Sequence, residues 1–454
     1  MTAASQTPMN VAVIGAGYVG LVSAACFSAA GHNVTCVDAD ADRVALLLSG
    51  EMPIFEPGLA ELVAAGMRSA RLSFSGDIAA CVADAAIAII AVGTPQGPDG
   101  DADLSHIFEA ADAVGRALRR RTVIAIKSTV PVGTGDAVEA IVARAATGCD
   151  FAVVSNPEFL REGDAIRDFT RPDRIVIGAA QLWAQAEMTA LYRAAVPADV
   201  PICIVSRAAA ELAKYAANTF LAAKVVFVNE IADLCEATGA DIAGVARCMG
   251  LDPRIGASFL EAGPGFGGSC FPKDLAALRH TAGRRKVALT LVEATLASNE
   301  ARRARMAHKI VEACGGSVRG ARIAVLGLTF KAGTDDMREA PSIGIIRALR
   351  ESGANICAYD PHGMPAAARI LSEVEFCRDP YAACAGADAA VILTEWPQFR
   401  AIDLGRLRET MRRRVLVDLR NLLNPAYAAS HGFAYVSIGR RDVAPAAPLL
   451  QAAE

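Results

Sequence analysis

Residues able to do chemistry are concentrated in one stretch, Gly263-Pro-Gly-Phe-Gly-Gly-Ser-Cys-Phe-Pro-Lys-Asp274. Its four glycines let the backbone turn sharply and approach a ligand closely, because no Cβ stands in the way. The thiol of Cys270 precedes an ammonium, Lys273, and a carboxylate, Asp274. A thiolate is a nucleophile that a neighbouring cation favours, and a carboxylate can act as a base or orient another group. The pattern fits either a covalent catalytic site or a glycine-rich turn that ends in a buried structural cysteine.

The size and composition of the chain indicate a globular protein of two or three domains. Its 454 residues are too many for one core, and 53% apolar with 21% charged residues is typical of folded chains. The net charge of −4 comes without a basic block, so neither a nucleic-acid nor an anionic-membrane partner is expected. No apolar run reaches the roughly 18 residues of a membrane span, and the start of the chain lacks a secretory pattern.

The twelve cysteines are scattered singly, and the six histidines form no ligand-spaced set with them. This distribution argues against a zinc site and against a disulfide framework. We therefore expect no metal, reduced thiols and a cytoplasmic location.

The first 38 residues carry a dinucleotide-binding fingerprint in its required setting. A strand, a glycine turn, a helix and a second strand follow one another: Met9–Ile14, Gly15-Ala-Gly-Tyr-Val-Gly20, a helical run to Ala30, and Asn33–Val37. Gly15 allows the tight turn, Gly17 lets a pyrophosphate reach the helix N-terminus, and Gly20 permits close helix–strand packing. Asp38 would accept hydrogen bonds from ribose hydroxyls and repel a 2′-phosphate, which favours NAD over NADP. A purely structural turn is the alternative.

Further alternating strands and helices predict a parallel sheet that is covered on both faces. The strands are Ala85–Val92, Thr122–Lys127, Phe151–Val154, Arg174–Ile177 and Pro201–Val205. Ligands of such sheets bind beyond the carboxyl ends of the strands. Three loops leave strands there, and they begin at Gly93, Lys127 and Ser155. In the third loop Glu158 and Glu162 would share one face if the segment formed a helical turn, and a solvated helix start is the alternative.

A long helix is predicted from Ser206 to about Ala237, and another over Val287–Cys314. Lys214 and Asn218 lie four residues apart on the first helix and therefore share one face. A helix of this length between two α/β blocks suits a linker and a dimer surface, although most lysines on such a helix are simply solvated.

A second α/β block begins at Arg322-Ile-Ala-Val-Leu-Gly327 and repeats the strand–loop–helix–strand–Asp layout up to Asp360. Gly-Leu-Thr-Phe-Lys replaces the glycine fingerprint, so a second dinucleotide is not expected there. Lys331 in that loop suits a phosphate or a sugar hydroxyl. Later strands are predicted at Ala389–Leu393 and Val415–Asp418. The two blocks imply two nucleotide ligands with Cys270 between them.

Taken in order along nearly the whole chain, these motifs resemble the nucleotide-sugar 6-dehydrogenases of the UDP-glucose/GDP-mannose dehydrogenase family. The matching segments are Gly15–Gly20, Gly93–Asp101, Ser128–Pro131, Asn156–Gly163, Glu211–Asn218, Gly265–Cys270 with Pro272–Asp274, Thr329–Asp336 and Asp418–Asn421. The resemblance implies oxidation of the C6 alcohol of a UDP-hexose to a carboxylate with two NAD and one water. It implies that Cys270 traps the intermediate aldehyde as a thiohemiacetal, which is oxidised to a thioester and hydrolysed.

The resemblance also assigns the remaining catalytic roles. Lys214 and Asn218 match residues beside the C6 oxygen, where a cation and an amide stabilise oxyanions. Asp274, with a water near Thr129, matches the base for alcohol oxidation, and Glu158 matches the group that activates the hydrolytic water. Lys214 is an alternative base if its ammonium loses its proton readily.

Binding residues follow from the same matches. Those for the cofactor are Gly15, Gly17, Tyr18, Val19, Gly20, Asp38, Arg43, Thr94, Thr129, Glu162, Lys273 and Arg338. Those for the UDP-sugar are Glu158, Phe159, Leu160, Arg161, Glu162, Lys214, Asn218, Arg254, Phe259, Leu260, Glu261, Ala262, Gly263, Gly267, Lys331 and Arg420. Among them, Arg254 matches a residue that reaches the sugar site of a neighbouring subunit.

The predicted fold class is thus α/β, with two Rossmann-like doubly wound parallel-sheet domains joined by a long central helical region. The expected parts are an NAD-binding domain at 1–205, a central dimerisation region with the cysteine loop at 206–314, a UDP-sugar-binding domain at 315–442 and a tail at 443–454. A homodimer or higher homo-oligomer is expected.

Three alternatives remain open. Trp396–Phe399, Arg420 and Leu251–Gly256 favour UDP-glucose by resemblance, but GDP-mannose or a UDP-N-acetylhexosamine would undergo the same chemistry. A two-electron hydroxyacid-type dehydrogenase would use Lys214 and Asn218 without a thiol. A non-catalytic nucleotide sensor would keep the loops but would not need the thiol, the lysine and the carboxylate together.

Overall fold

The computed structural model describes residues 7–97, 100–146 and 148–445. The predicted tail therefore lies largely outside the described residues. The elements up to the first long helix are β1 (Asn10–Ile14), α1 (Tyr18–Ala29), β2 (Asn33–Val37), α2 (Ala41–Leu48), α3 (Leu59–Arg68), β3 (Leu72–Ser75), α4 (Ile78–Ala83), β4 (Ile87–Ile90), α5 (Ser105–Ala117), β5 (Thr122–Ile126), α6 (Thr134–Ala145), β6 (Phe151–Ser155), α7 (Ala165–Thr170), β7 (Ile175–Gly178), α8 (Leu182–Ala195), β8 (Ile202–Val205) and α9 (Arg207–Thr238).

The later elements are α10 (Ile242–Gly250), α11 (Phe271–Arg284), α12 (Thr290–Ala313), β9 (Arg322–Leu326), α13 (Pro341–Glu351), β10 (Asn355–Tyr359), α14 (Met364–Ala368), β11 (Glu375–Phe376), α15 (Pro380–Cys384), β12 (Ala389–Ile392), α16 (Pro397–Arg400), α17 (Leu404–Thr410), β13 (Val415–Asp418), α18 (Pro425–Ser430) and β14 (Ala434–Ser437). They belong to two compact units, Met1–Ala217 with Ala276–Val287 and Asn218–Leu275 with Ala288–Glu454.

The first unit contains an eight-stranded sheet in the order β3-β2-β1-β4-β5-β6-β7-β8. Its central strands are continuous apolar runs that are buried on both faces: Val11 and Val13 of β1 pack into one core cluster, and Ala12 and Ile14 pack into another. This two-sided burial confirms the predicted covered sheet. One pairing departs from the prediction, because β6 and β7 run antiparallel.

The second unit contains a six-stranded parallel sheet in the order β11-β10-β9-β12-β13-β14. Side chains of β9 again alternate between two clusters, with Ile323 and Val325 on one face and Ala324 and Leu326 on the other. The doubly wound α/β class predicted for both blocks is confirmed. Three strands were not predicted, β3, β11 and β14, and each has four residues or fewer.

The two long helices were predicted nearly to the residue, as α9 and α12. The residues expected to form a separate central region are divided between the two compact units, with one boundary after Ala217 and another inside α11. The boundaries 1–205, 206–314 and 315–442 stay a prediction.

Three features bear on the type of protein. None of the twelve cysteines, which all lie within the described residues, forms a disulfide. Within residues 7–97, 100–146 and 148–445, no helix has both the length and the apolar run that crossing a bilayer requires. The same part of the chain holds no cluster of three or more His, Cys, Asp or Glu side chains suited to a metal ion.

Candidate active site

The glycine turn between β1 and α1 has the shape of a pyrophosphate cradle. Gly15 adopts a φ of +103°, and a Cβ on Gly20 would overlap the carbonyl of Gly15, so both positions require glycine for the turn itself. At Gly17, by contrast, a Cβ would meet no described atom within 4 Å. Gly17 is also the N-cap of α1 and has no side chain to cap the first backbone N–H groups. The cradle therefore fits an anionic ligand at the helix N-terminus, as a bound dinucleotide requires.

Asp38 closes this turn from the end of β2. One carboxylate oxygen accepts from the backbone N–H of Ala16 at 2.7 Å and from the Arg43 guanidinium at 3.0 Å. The other oxygen accepts from the backbone N–H of Asp40. Burial raises the pKa of Asp38, but these donors outweigh it and the net pKa lies below its ordinary value. The group is therefore a carboxylate at neutral pH, as the preference for NAD requires.

Tyr18 and Val19 follow in the first turn of α1. The hydroxyl of Tyr18 donates to the carboxylate of Glu56, which also accepts from the backbone N–H groups of Gly163 at 2.6 Å and Ala165 at 2.8 Å. Burial, followed by the hydrogen bond to Glu56, raises the pKa of Tyr18 well above its usual range. The tyrosine is thus a neutral hydrogen-bond donor that ties the glycine turn to the segment after Glu162.

Two threonines line the carboxyl ends of β4 and β5. The hydroxyl of Thr94 donates to the backbone carbonyl of Thr129 at 3.0 Å, and both side chains are buried. Ser128, next to Thr129, donates to the carbonyl of Val92 at 2.7 Å. The two predicted loops are therefore in contact, as expected for adjacent strands of a parallel sheet.

Glu158 and Lys214 form a buried ion pair. Their side chains are 6% and 3% exposed, and the ammonium lies 3.0 Å from Oε1 of the carboxylate. The other carboxylate oxygen accepts from the backbone N–H of Leu160 at 2.5 Å. Burial raises the pKa of Glu158, yet the charge of Lys214 and the Leu160 hydrogen bond bring it below its ordinary value. Glu158 is therefore ionised and can accept a proton from a water.

The helical turn considered for Glu158 to Glu162 is wrong, because this segment is irregular and the next helix, α7, begins only at Ala165. Glu158 folds back onto Leu160 and towards Lys214, whereas Glu162 is half-buried in the loop. The solvated alternative also fails for Glu158. Nearby, two cations lie over the ring of Phe159, the Arg174 guanidinium at 3.6 Å and the Lys214 ammonium at 5.2 Å from its centroid. Arg161 pairs with Asp168.

In the second unit, the cysteine loop is shaped by its glycines. A Cβ on Gly267 would overlap the carbonyl of Glu339, and one on Gly268 would strike the ring of Phe330. The backbone N–H of Gly268 donates to the carbonyl of Arg338 at 2.9 Å. The loop therefore packs against the segment after β9, where Lys331 and Arg338 were predicted to bind ligands.

Cys270 is half-buried and immediately precedes α11, a position where the helix favours negative charge. Its sulfur lies 3.6 Å from the hydroxyl of Ser269. Asp274, one turn into the helix, is buried, and its two oxygens accept from the Asn218 amide and the Lys273 ammonium, each at 2.6 Å. The structure thus joins Asn218, which was predicted on the long helix, to Asp274 and Lys273, which were predicted together beside Cys270. The structural alternative of a sealed cysteine does not hold.

The sugar-side residues of the second unit are arranged around Gly263. The Arg420 guanidinium donates to the carbonyls of Leu393 at 2.8 Å and Phe330 at 2.9 Å, and its Nη1 would lie 3.1 Å from a Cβ on Gly263. The stretch from Phe259 to Gly263 contains Phe259, Leu260, Glu261 and Ala262, and Phe259 has a φ of +65°. Arg254 is exposed and pairs with Asp252.

The structure therefore places the predicted residues in two sets, one per unit. The first comprises Gly15, Gly17, Tyr18, Val19, Gly20, Asp38, Arg43, Thr94, Thr129, Glu158, Phe159, Leu160, Arg161, Glu162 and Lys214. The second comprises Asn218, Arg254, Phe259, Leu260, Glu261, Ala262, Gly263, Gly267, Cys270, Lys273, Asp274, Lys331, Arg338 and Arg420. Lys214 and Asn218 are one turn apart on the continuous helix α9.

Four supporting residues were missed. Glu56 holds Tyr18, while Asn229, Asn299 and Arg302 hold the cysteine loop through backbone contacts at Gly263 and Phe266. Glu56 and Asn229 each follow an apolar run, and this was the signal that the sequence offered. Asn299 and Arg302 lie among charged residues, where the sequence gave no such signal.

Family models match three consecutive parts of the chain. They are the NAD binding domain of the UDP-glucose/GDP-mannose dehydrogenase family at residues 9–196, its central domain at 208–301 and its UDP binding domain at 324–425. The chain is also 52% identical over 437 residues to the UDP-glucose 6-dehydrogenase of Rhizobium meliloti strain 1021, covering 96% of this chain and 100% of the relative. The chain belongs to the UDP-glucose/GDP-mannose dehydrogenase family. It is an NAD-dependent oxidoreductase, and its UDP binding domain spans residues 324–425.

Three further similar proteins are also named as nucleotide-sugar dehydrogenases. The UDP-glucose 6-dehydrogenase of Pseudomonas aeruginosa PAO1 is 46% identical, with 95% of this chain and 98% of the relative covered. Among solved structures, a UDP-glucose dehydrogenase from the hyperthermophilic archaeon Pyrobaculum islandicum is similar with a TM-score of 0.87 and 40% identity, covering 93% of this chain and 96% of its own. A UDP-D-ManNAc dehydrogenase from Pyrococcus horikoshii is similar with a TM-score of 0.84 and 28% identity, covering 96% and 100%.

Proposed function

We propose that this chain oxidises C6 of UDP-glucose to the carboxylate of UDP-glucuronate, with Cys270 as the covalent nucleophile. The observation that carries the nucleophile is its position: a half-buried thiol at the start of α11, on a glycine-shaped loop and one turn before the buried Asp274. UDP-glucose as the sugar is supported by three relatives of similar length at 45–52% identity, each of which is named a UDP-glucose 6-dehydrogenase.

The chain's own residues would act as follows. NAD, when bound, accepts a hydride in each of the two oxidations. Asp274, through a water near Thr129, takes the proton of the C6 hydroxyl in the first oxidation. The Cys270 thiolate then adds to the aldehyde carbon and the carbonyl oxygen takes up a proton, which gives a thiohemiacetal; that proton is lost to the same base when the second oxidation gives the thioester. Water attacks the thioester, the C–S bond breaks and the cysteine leaves as a thiolate. Glu158, which its environment keeps ionised, takes the proton of that water. The Lys214 ammonium and the Asn218 amide, on one face of α9, stabilise the oxyanions.

Counting NADH per UDP-glucose tests this function. The wild type should release two NADH per sugar, whereas Cys270→Ser should lose turnover or stop at slow aldehyde formation. Cys248→Ser, which alters an exposed cysteine, is the matched control and should behave as the wild type. One NADH per substrate, or an undiminished Cys270→Ser variant, would instead indicate two-electron hydroxyacid-type chemistry. Turnover of GDP-mannose or a UDP-N-acetylhexosamine without UDP-glucose would reject the proposed sugar.

We also propose that two copies pair through α9. Phe220, Phe227 and Leu234 are spaced seven residues apart and are 65%, 49% and 57% exposed, so they form an apolar stripe along one face of the helix. Leaving such a stripe in water is unfavourable, and a second copy would cover it with the same residues. Phe227→Glu should yield a monomer in light scattering, while Leu182→Glu, at an exposed leucine of α8, should not. A dimeric Phe227→Glu variant would contradict this interface.

We further propose a cytoplasmic location. Twelve cysteines without a disulfide, two of them exposed, support a reducing compartment.

A further inference from the structure

A carboxylate outside the predicted catalytic set connects the three segments that carry the catalytic residues of the first unit. Glu211 lies on α9 and its side chain is 3% exposed. One of its oxygens accepts from the backbone N–H of Gly133 at 2.8 Å, and the other accepts from the N–H of Gly135 at 2.8 Å and from the hydroxyl of Ser155 at 2.9 Å. Three donors thus share one carboxylate.

Each partner leads directly to a predicted catalytic group. Gly133 follows Thr129 by four residues in the loop after β5, and Ser155 ends β6 three residues before Glu158. Lys214 lies three residues after Glu211 on the same helix, and its ammonium meets Glu158 at 3.0 Å. The side chain of Glu211 therefore links the loop of Thr129, the loop of Glu158 and the helix of Lys214.

The local backbone is adapted to this carboxylate. Gly133, with a φ of +97°, is the N-cap of α6 and brings no side chain of its own, so Glu211 supplies the negative charge at this helix start from another element. A Cβ on Gly135 would lie 2.9 Å from Oε1 of Glu211, so the close approach depends on glycine. Because this cap comes from a side chain of α9, its hydrogen bonds hold α9 and the start of α6 in one relative position.

The charges around Glu211 indicate that it is held by hydrogen bonds and not by a cation. Burial, partly offset by its three donors, raises its pKa above the ordinary value, and Asp136 raises it further. Arg207, one turn earlier on α9, is engaged with Asp136 and Glu139. A buried carboxylate with three directed hydrogen bonds is costly to replace by a group with fewer acceptors.

We propose that Glu211 is a positioning residue for the oxidation, setting where Lys214 and Glu158 stand relative to Thr129. This inference rests on the proposed function. Because a displacement of about 1 Å among reacting groups can cost on the order of 100-fold in rate, losing these bonds should lower kcat by roughly 10- to 100-fold. The KM for NAD should change by a smaller factor than kcat, since the glycine turn at Gly15 to Gly20 supplies none of the hydrogen bonds to Glu211, although the loop of Thr129 also belongs to the predicted NAD site.

The decisive variant is Glu211→Gln, which keeps the shape but replaces one acceptor oxygen with an amide donor that faces a backbone N–H. Ser155→Ala, which removes only one neutral hydrogen bond, should give a smaller loss of kcat in the same direction. The matched control is Val63→Ala: it shortens a buried valine in the core of the same unit and lowers its stability, and it lies on α3, which packs against α1 and β3 and carries none of the three segments. All variants are assayed with UDP-glucose and NAD well below their melting temperatures.

The inference is supported if Glu211→Gln lowers kcat at least tenfold with a smaller change in the KM for NAD, while Val63→Ala is destabilised but keeps its kcat. It is overturned if Glu211→Gln keeps the wild-type kcat, or if Val63→Ala loses kcat to the same extent at equal stability. Should Glu211→Gln fail to fold, Ser155→Ala decides: a wild-type kcat there overturns the inference. Absence of UDP-glucose turnover in the wild type would reject the proposed function itself, which is a distinct outcome.

Discussion

Breaking the buried pair between Lys214 and Glu158 should give a stability loss whose size depends on pH. Lys214→Met keeps an unbranched side chain of similar length but removes the charge 3.0 Å from Glu158. Because both groups are almost fully buried, the variant leaves a carboxylate without its cation in a poorly hydrated site. Leaving one partner of such a pair uncompensated costs about 3–5 kcal/mol, which corresponds to a fall of roughly 6–20 °C in the melting temperature of a unit of this size.

The pH dependence follows from the two pKa values of Glu158. In the wild type its pKa lies below the ordinary 4.5, so its contribution to stability is fully present above pH 4.5 and is lost only as the pH falls through the lower, folded pKa. In Lys214→Met only the Leu160 hydrogen bond and the charge of Lys127 still oppose burial, so we expect the folded pKa of Glu158 to rise above 4.5. The variant then loses up to about 1.4 kcal/mol per pH unit as the pH rises from 4.5 to its new pKa. The difference from wild type should be larger at pH 8 than at pH 5.

Thermal and chemical unfolding of four proteins at pH 5 and pH 8 would measure this. The double variant Lys214→Met/Glu158→Gln should recover at least about 2 kcal/mol of the lost free energy of unfolding at pH 8, because it also removes the carboxylate charge that Lys214→Met alone leaves unpaired. Arg116→Met, which breaks an exposed pair with Asp112 on α5, should cost no more than about 0.5 kcal/mol at either pH. An equal loss for Lys214→Met at both pH values, or a double variant no more stable than the single one, would refute the reasoning.

Two further predictions concern the nucleotide turn. Gly17→Ala should leave the melting temperature nearly unchanged but raise the KM for NAD, because its Cβ meets no described protein atom and enters the space of the ligand. Gly20→Ala should lower the free energy of unfolding by more than about 1–3 kcal/mol, because its Cβ overlaps the carbonyl of Gly15. If both variants lose only stability, the cradle is not the NAD site. Asp38→Ala should lower kcat/KM for NAD roughly 10-fold or more and reduce the preference for NAD over NADP, because it removes a carboxylate acceptor and releases Arg43. An unchanged ratio of kcat/KM for NAD to kcat/KM for NADP would contradict the role of Asp38.

Much of the fold could be predicted from local pattern. Strands such as Ile87–Ile90 are uninterrupted apolar runs because a parallel sheet buries both faces, and α9 shows its helical spacing over its whole length. The strands that were missed lie at the sheet edges, and each has four residues or fewer, which is too short to give a clear pattern. The antiparallel pairing of β7 has no local signal, because the direction of a strand depends on the path of the chain between strands.

In the candidate site, the sequence by itself determined the glycine turn, the carboxylate at Asp38 and the thiol of Cys270 next to Lys273 and Asp274. These groups depend on neighbours within a few residues, so spacing alone describes them. Only the tertiary structure decided that Lys214 pairs with Glu158, that Asn218 donates to Asp274, and that Glu211 caps α6. Each of these contacts joins residues more than fifty positions apart, and a buried polar group takes whichever partner the packing of the elements brings within about 3 Å.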